Sequence, residues 1–354
     1  MASEHPSTRS SGRPPTIHDV ARRAGVHPAT VSRALNRPDM VAEDTRAAVL
    51  DAVQAVGFVP NRSARQLVSG RSDAIGVLVP DITNPYFGAI VGAIQGDARR
   101  DGLAVLIADT GADAAEERLA LSTLSRQVDG LVAVTPITDL VAATVPVVQV
   151  NRSSRGIVGI VVDQEAIARA AIDHLFGLGH RHVAVVRGPS AYWSASRRDR
   201  AVERIAAKVD SSGCRIKLIG PAPATFEGGR SAFADVARSG ATAVVAFNDL
   251  QAAGLLVAAQ EAGRSVPDSL SVVGSDGVAL ATMTSPPLTS VAAPLEELGV
   301  VARRRLGDLL ADRPGLLLTT LAPQLVARAT SGAPPTTRRP ARHRPGRNDL
   351  VQTT

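Results

Sequence analysis

Apolar residues recur three and four positions apart in three short stretches near the N-terminus. Farther on they gather into brief runs separated by longer stretches of helical spacing. Ile17, Val20, Ala21 and Ala24 share one face of a helix that opens at Thr16. Thr16 is its N-cap, and Asp19, three residues on, completes a variant of the capping box. Gly25 breaks that helix, Val26 gives the turn a buried residue, and Pro28 suits the first position of a second helix, where its missing N–H would be unpaired anyway. Val31, Ala34 and Leu35 then face inward, leaving Ala29, Thr30, Ser32, Arg33 and Asn36 outward. A third helix is predicted over 43–56, with Val49, Leu50, Val53 and Val56 inward and Gly57 as its stop. Two short helices joined through a glycine turn and backed by a third form a helix-turn-helix unit, whose second helix enters the DNA major groove. An ordinary three-helix bundle with a polar face would fit the same periodicity. The outward residues suit DNA: Arg33 can donate two hydrogen bonds to a guanine edge, and Thr30, Ser32 and Asn36 can reach phosphates or bases.

From Ala74 the runs AIGVLVP (74–80), LAVLIAD (103–109), GLVAV (130–134) and PVVQV (146–150) read as buried parallel strands. A second series follows: GIVV (159–162), HVAVV (182–186), IKLI (216–219), AVVAF (243–247) and SVVG (271–274). Helical stretches between them cover 87–100, 116–127, 166–179 and 251–263. This alternation predicts an α/β body of two doubly wound parallel-sheet lobes, with a ligand cleft at the carboxyl ends of the strands. Tyr86, Phe87, Tyr192, Trp193 and Phe247 sit at or just beyond predicted strand ends, where flat rings would stack on a sugar or a base. Some of them could instead simply close the lobes' cores.

Charge changes the picture at the two ends. Residues 1–72 carry a net +4, residues 331–354 another +4, and the body between them −2. Basic ends attract polyanions such as DNA. Residues 1–14 read as a disordered arm and 331–354 as a disordered Pro/Arg-rich tail. A single cysteine, Cys214, excludes an intramolecular disulfide framework and suits a reducing cytosol. The polar N-terminus lacks a secretory pattern, and no window approaches 18 apolar residues, so a cytoplasmic, nucleoid-associated protein with no membrane partner is expected.

The run PTIHDVARRAGVHPATVSRALN (15–36), followed by GFVPNRSARQLVSGRS (57–72), closely resembles the lactose-repressor (LacI/GalR) family of bacterial transcriptional regulators. Family markers continue in order through VNR (150–152), LGHRHVAVVRGP (178–189), AFNDLQAAG (246–254) and VPDSLSVVGSDG (266–277), so the likeness spans roughly residues 14–330. The resemblance implies a helix-turn-helix head over 15–60, a hinge over 61–73, and a periplasmic-binding-protein-like effector and dimerisation core over 74–330. The N-lobe would take about 74–161 and 291–320, and the C-lobe about 162–290 and 321–330. It implies a homodimeric repressor that reads a near-palindromic double-stranded DNA operator under control of a small-molecule effector, a sugar or related metabolite.

By that resemblance Thr16, His27, Pro28, Ala29, Thr30, Ser32, Arg33 and Asn36 contact DNA, with His27 standing where relatives carry a capping serine. Asn61, Ala64, Arg65 and Leu67 would form a hinge that folds in the minor groove, Leu67 wedging a base step apart. The effector would meet Tyr86, Phe87, Asp109, Trp193, Phe247, Asn248 and Asp276, and one of Arg197 and Arg198. For Asp109, Asn248 and Asp276, capping or turn roles are serious rivals. Gly277 stands where relatives usually have a second acid.

The chain has no phosphate-binding loop of the GxxxxGK[ST] type and no GxSxG nucleophile elbow, so no enzyme is expected. Its one close histidine pair, His180 and His182, has no nearby ligand partners, and neither metal nor cofactor is expected. A solute-binding or sugar-metabolising protein with a fused DNA-binding head is the alternative. Leu67→Ala is expected to weaken operator binding far more than non-specific binding, because the wedge acts only in kinked DNA. Titrating operator and random duplexes side by side checks this; equal losses on both would remove the wedge.

Overall fold

The computed structural model describes Arg13 and residues 15–58, 71–209 and 213–335. The hinge candidates Asn61, Ala64, Arg65 and Leu67 and the side chain of Asn36 lie outside the described residues, as do residues 1–12 and 336–354. The chain divides into two compact units, 1–73 and 74–354.

In the first unit α1 (Ile17–Ala24), α2 (Pro28–Asn36) and α3 (Glu43–Val56) pack around Val20, Ala21, Val31, Ala34, Val49 and Ala52. The capping box forms as the sequence predicts: Asp19 Oδ2 accepts from the Thr16 amide at 2.9 Å and from its hydroxyl at 2.7 Å. Gly25 (φ 65°) and Gly57 (φ 68°) end α1 and α3 in the left-handed conformation. Leu50, expected inward, is 44% exposed. The buried face of α3 runs through Val49, Ala52 and Val53, and Leu50 lies one residue, roughly 100°, off it.

The second unit holds two six-stranded sheets. The first has the order β11-β5-β4-β3-β1-β2, with β1 (Ala74–Val79), β2 (Ala104–Asp109), β3 (Gly130–Val134), β4 (Val147–Val150), β5 (Val158–Val162) and β11 (Leu318–Leu321), all parallel. The second has the order β12-β10-β9-β8-β6-β7, with β6 (His182–Val186), β7 (Arg215–Ile219), β8 (Ala243–Val245), β9 (Ser271–Asp276), β10 (Thr289–Ala292) and β12 (Gln324–Val326). The run GIVV, grouped above with the second series, belongs to the first sheet: Val150 is in register with Ile160. One pairing departs from the parallel rule, since β12 lies antiparallel to β10.

Helices cover both sheets: α4 (Pro85–Arg100), α5 (Ala114–Leu124), α6 (Gln164–Gly177), α7 (Trp193–Val209), α8 (Phe226–Arg238), α9 (Asp249–Glu261), the short α10 (Leu280–Met283) and α11 (Leu295–Leu310). The chain passes between lobes after β5, after β10 and between β11 and β12. Ser331 and Gly332, assigned from composition to the tail, are instead held against the second lobe. The Gly332 amide donates to Ser271 Oγ at 3.0 Å, and Ser331 Oγ lies 2.8 Å from His174 Nε2.

Helices α8 and α9 cross at Gly229 and Gly254. A Cβ on Gly254 would collide with the Phe226 carbonyl, and one on Gly229 with that of Gln251. Backbone cannot yield as a flexible side chain does, so Gly254→Ala is expected to destabilise the protein by roughly 1–3 kcal/mol. Gly177, near the end of α6, has open space around it, and its Ala variant should gain up to about 1 kcal/mol. Urea melts of both variants check the contrast; equal effects would refute the close-approach account.

Candidate functional site

On the first unit, two of the residues predicted outward on α2, Ala29 and Arg33, are fully at the surface. His27, Ala29 and Arg33 are exposed, and Pro28, Thr30 and Ser32 are half-buried. His27 itself supplies the N-cap: its Nδ1 accepts from the Ala29 amide at 3.2 Å. A histidine thus does the work of the usual capping serine while its ring stays at the surface. Thr16 is spent on its capping box, and its hydroxyl also accepts from Arg13 at 3.4 Å.

In the second unit a small cavity of about 40 Å³ lies between the lobes. Thr135 follows β3, Asn151 follows β4 and Asp276 ends β9; all three line it, with φ of 51°, 58° and 116°. Left-handed backbone at non-glycine residues costs on the order of 1–3 kcal/mol and collects at binding sites. Here it turns three polar side chains into one space. Asn151 donates from Nδ2 to the Tyr86 hydroxyl at 2.7 Å and to Thr135 Oγ1 at 3.2 Å, while its buried Oδ1 has no partner.

Arg198 forms the opposite wall. It is only 7% exposed, and its Nε and Nη2 donate to Gln164 Oε1 at 3.1 and 2.9 Å. Its Nη1 donates to the Phe247 carbonyl at 2.5 Å, and the guanidinium lies 4.7 Å from the centre of the Phe247 ring. Tyr86 and Phe87 meet edge to face at 5.3 Å, and both line the cavity. No hydrogen bond among the described residues reaches the Asp276 carboxylate. Burial between the lobes pushes its carboxyl well above the ordinary carboxylate range; Asp249 reinforces this and Arg198 opposes it. Asp249 is itself pushed up to about 6 by burial, against hydrogen bonds from Ser290 at 2.6 Å and the Val278 amide at 3.0 Å.

The other sequence candidates fall elsewhere. Of the two arginines, Arg198 reaches the cavity; Arg197 is exposed, stacked 4.9 Å over Trp193, and neither of these two lines it. Asp109 sits outside the cavity with its two oxygens accepting from the Ile82 and Gly111 amides at 2.8 and 2.9 Å, a turn-holding role. Asn248 lines the cavity but caps α9 through the Gln251 amide at 2.8 Å and donates to the Ala224 carbonyl at 2.9 Å. Gly277 has a structural counterpart: a Cβ there would collide with that of Ala292, so this backbone excludes the second acid. Sequence reasoning missed Asn84, Thr135, Asn151 and Gln164. For Thr135, Asn151 and Gln164 the signal was position, one or two residues past strand ends; Asn84 is the N-cap of α4.

A helix-turn-helix unit and a two-lobed unit with a polar interlobe cavity, on one chain, define a ligand-responsive DNA-binding regulator. Residues 16–61 match the family model for bacterial regulatory proteins of the lacI family, and residues 172–331 that of the periplasmic binding protein-like domain. The chain is 30% identical over 331 residues to the HTH-type transcriptional regulator DegA of Bacillus subtilis, covering 88% of this chain and 97% of that one. It is 34% identical over 304 residues to the regulator GalS of Salmonella typhimurium, with 81% and 87% covered. The chain belongs to the lacI family. Among solved structures it is similar to the lac repressor dimer bound to operator and the anti-inducer ONPF, with TM-score 0.81, 28% identity, and 91% and 100% of the two chains covered. A regulator from Enterococcus faecium with bound ribose matches at TM-score 0.66 and 26% identity, covering 74% of this chain and all of that one. No helix among the described residues is long and apolar enough to cross a membrane.

The raised Asp276 carboxyl has a pH signature. Above about pH 4 the unfolded chain has released this proton while the folded protein still holds it. Stability therefore falls as pH rises through that window and stays lowered above it. Asp276→Asn is expected to raise the Tm of the ligand-free protein near neutral pH, with the gain shrinking toward about pH 4. Melting curves across that range test this; a pH-independent gain would place the cost elsewhere.

Proposed function

We propose that the protein is a homodimeric transcriptional repressor, acting in the cytoplasm, whose grip on a near-palindromic operator is set by a sugar held in the interlobe cavity. The observation that carries the effector reading is the pair of unpartnered acceptors, Asp276 and Asn151 Oδ1, facing a space flanked by aromatic rings. A ligand rich in hydroxyl donors satisfies both and stacks its C–H face on a ring. Arg198, already bonded to Gln164 and Phe247, fixes the wall and adds its charge opposite Asp276. Tyr86, Phe87, Phe247 and Asn248 complete the contact surface. A change in lobe closure on binding would bias the hinge segment 61–73 between DNA-competent and incompetent states.

On the DNA side, Arg33 is the base reader of α2, with His27, Pro28, Ala29, Thr30, Ser32 and Asn36 around it and Thr16 at the preceding cap. The hinge residues Asn61, Ala64, Arg65 and Leu67 contribute the minor-groove contact. Selection from a random duplex pool at stated, near-physiological salt is expected to yield a near-palindromic consensus, each half read by one protomer. Arg33→Ala should weaken binding to that consensus by about 1–3 kcal/mol, a factor of roughly 5 to 150, and relax preference at one base pair per half-site. Unchanged affinity and preference in the variant would take the reading role away from Arg33.

A further inference from the structure

The chain enters and leaves the second unit at opposite edges. Thr135 and Asn151 follow β3 and β4, and Asp276 ends β9, so the carboxyl ends of both sheets face the cavity between the lobes. Ala74, the first residue of β1, therefore lies at the far edge of the first sheet. The last described residues lie at the corresponding edge of the second sheet. Gly332 donates its amide to Ser271, the first residue of β9, and Ser331 Oγ lies 2.9 Å from the hydroxyl of Thr289, the first residue of β10.

That seat is a built one. Thr330 is fully buried, its hydroxyl donating to the Val272 carbonyl at 2.7 Å and accepting from the Thr289 amide at 2.9 Å. Its carbonyl accepts from the Val272 amide at 2.8 Å. The Gly332 carbonyl lies 3.0 Å from Nε2 of His180, a ring that is itself fully buried. The sequence beyond Pro335 thus begins at a fixed point on the side of the second lobe turned away from the cavity.

From that point come Arg338, Arg339, Arg342, Arg344 and Arg347, with no acid before Asp349. We propose that residues 336–354 bind the phosphate backbone of duplex DNA without regard to sequence, so that the protein holds a second duplex besides the one taken by its three-helix unit. Leu350 and Val351 are the only large apolar residues in the segment, too few to bury a core. A tail kept for solubility would be better served by acids. Arginine suits phosphate, since its charge is permanent and its forked N–H groups match the oxygens. The segment carries +4, as residues 1–72 do, on either side of a body at −2, and a polyanion is the ligand that both ends attract. Leaving from the edge opposite Ala74, it is placed for a different duplex from the one that the DNA-reading unit holds.

A bridging assay on the full-length protein tests this with random-sequence duplexes, so the outcome depends on no operator. An immobilised duplex is coated with protein at low salt, washed, and offered a second, labelled duplex. The wild type is expected to retain the label, with log affinity falling against log salt at a slope of about −4 to −5 for five arginine–phosphate contacts. Combining Arg338→Gln, Arg339→Gln, Arg342→Gln, Arg344→Gln and Arg347→Gln should cut retention at least about tenfold while the first layer of protein stays bound. Ending the chain after Pro335 should do the same; it leaves the seat intact, and an unchanged Tm checks that. The five matching lysine variants combined should keep most of the retention, because charge carries it. Equal retention by the wild type and the glutamine variant, or no retention by either, would overturn the proposal and leave the DNA-reading role of the first unit standing. Retention of a duplex RNA label more than about tenfold above that of DNA would overturn the assignment to DNA. Failure of the wild type to coat the first duplex would overturn both readings.

Discussion

Arg198 carries a permanent charge in a place where water does not compete, and its N–H groups must find acceptors within the protein. Those acceptors come from two different parts of the second lobe. Gln164 stands at the first residue of α6, just after the chain has crossed from β5, and its own amide donates back to the Val162 carbonyl at 3.2 Å. The Phe247 carbonyl lies at the β8–α9 junction, where the Phe247 amide is held at 3.0 Å by Gln251 Oε1. Gln251 in turn donates to the carbonyls of Ala222 and Pro223. One buried guanidinium thereby ties the entry crossing, the helix α7 and the floor of the cavity into a single hydrogen-bonded frame. Low local dielectric makes each of those bonds stiff and makes any loss among them costly.

Within that frame the site is deliberately incomplete. Several neighbouring polar groups have partners: Asn84 caps α4, Asn248 caps α9, and Asp249 takes Ser290 and Val278. Asp276 and Asn151 Oδ1 are left over, on backbone that is itself strained. Binding sites tolerate such local cost when the surrounding packing over-determines the geometry. The tight seating of Gly277 against Ala292 is part of that over-determination, and it also sets the charge of the site by excluding a second acid.

Much of this was legible in the chain. The capping box at Thr16 and Asp19, the glycine stops and the apolar runs each follow from local chemistry, and local chemistry is what a sequence displays. The choice between Arg197 and Arg198 was legible too, had helical phase been applied to α7: Ala201, Val202 and Ile205 are buried, and Arg198 lies three, four and seven residues before them. Leu50 misled because a large apolar residue one step off the face looks like part of it. The roles of Thr135 and Asn151 were not legible, since a left-handed φ on a non-glycine residue leaves no compositional mark. Nor was the anchoring of Ser331 and Gly332, which depends on a backbone amide and a carbonyl meeting Ser271 and His180. GIVV pairs with β4 on one side, and its other side is covered by β11, more than a hundred and fifty residues away in sequence.

That distant strand has a consequence for how the molecule is made. The first sheet is closed at one edge by β11, and the second by β10 with β12, so neither lobe is complete until residues 318–326 exist. The three-helix unit needs nothing beyond its own early segment. As the chain leaves the ribosome, the DNA-reading unit can therefore fold long before either half of the sensor can finish its sheet, and two open sheet edges wait for the last part of the message. Translation that stops short would release a folded reader attached to an unfinished sensor, which places the premium for quality control on the final tenth of the chain.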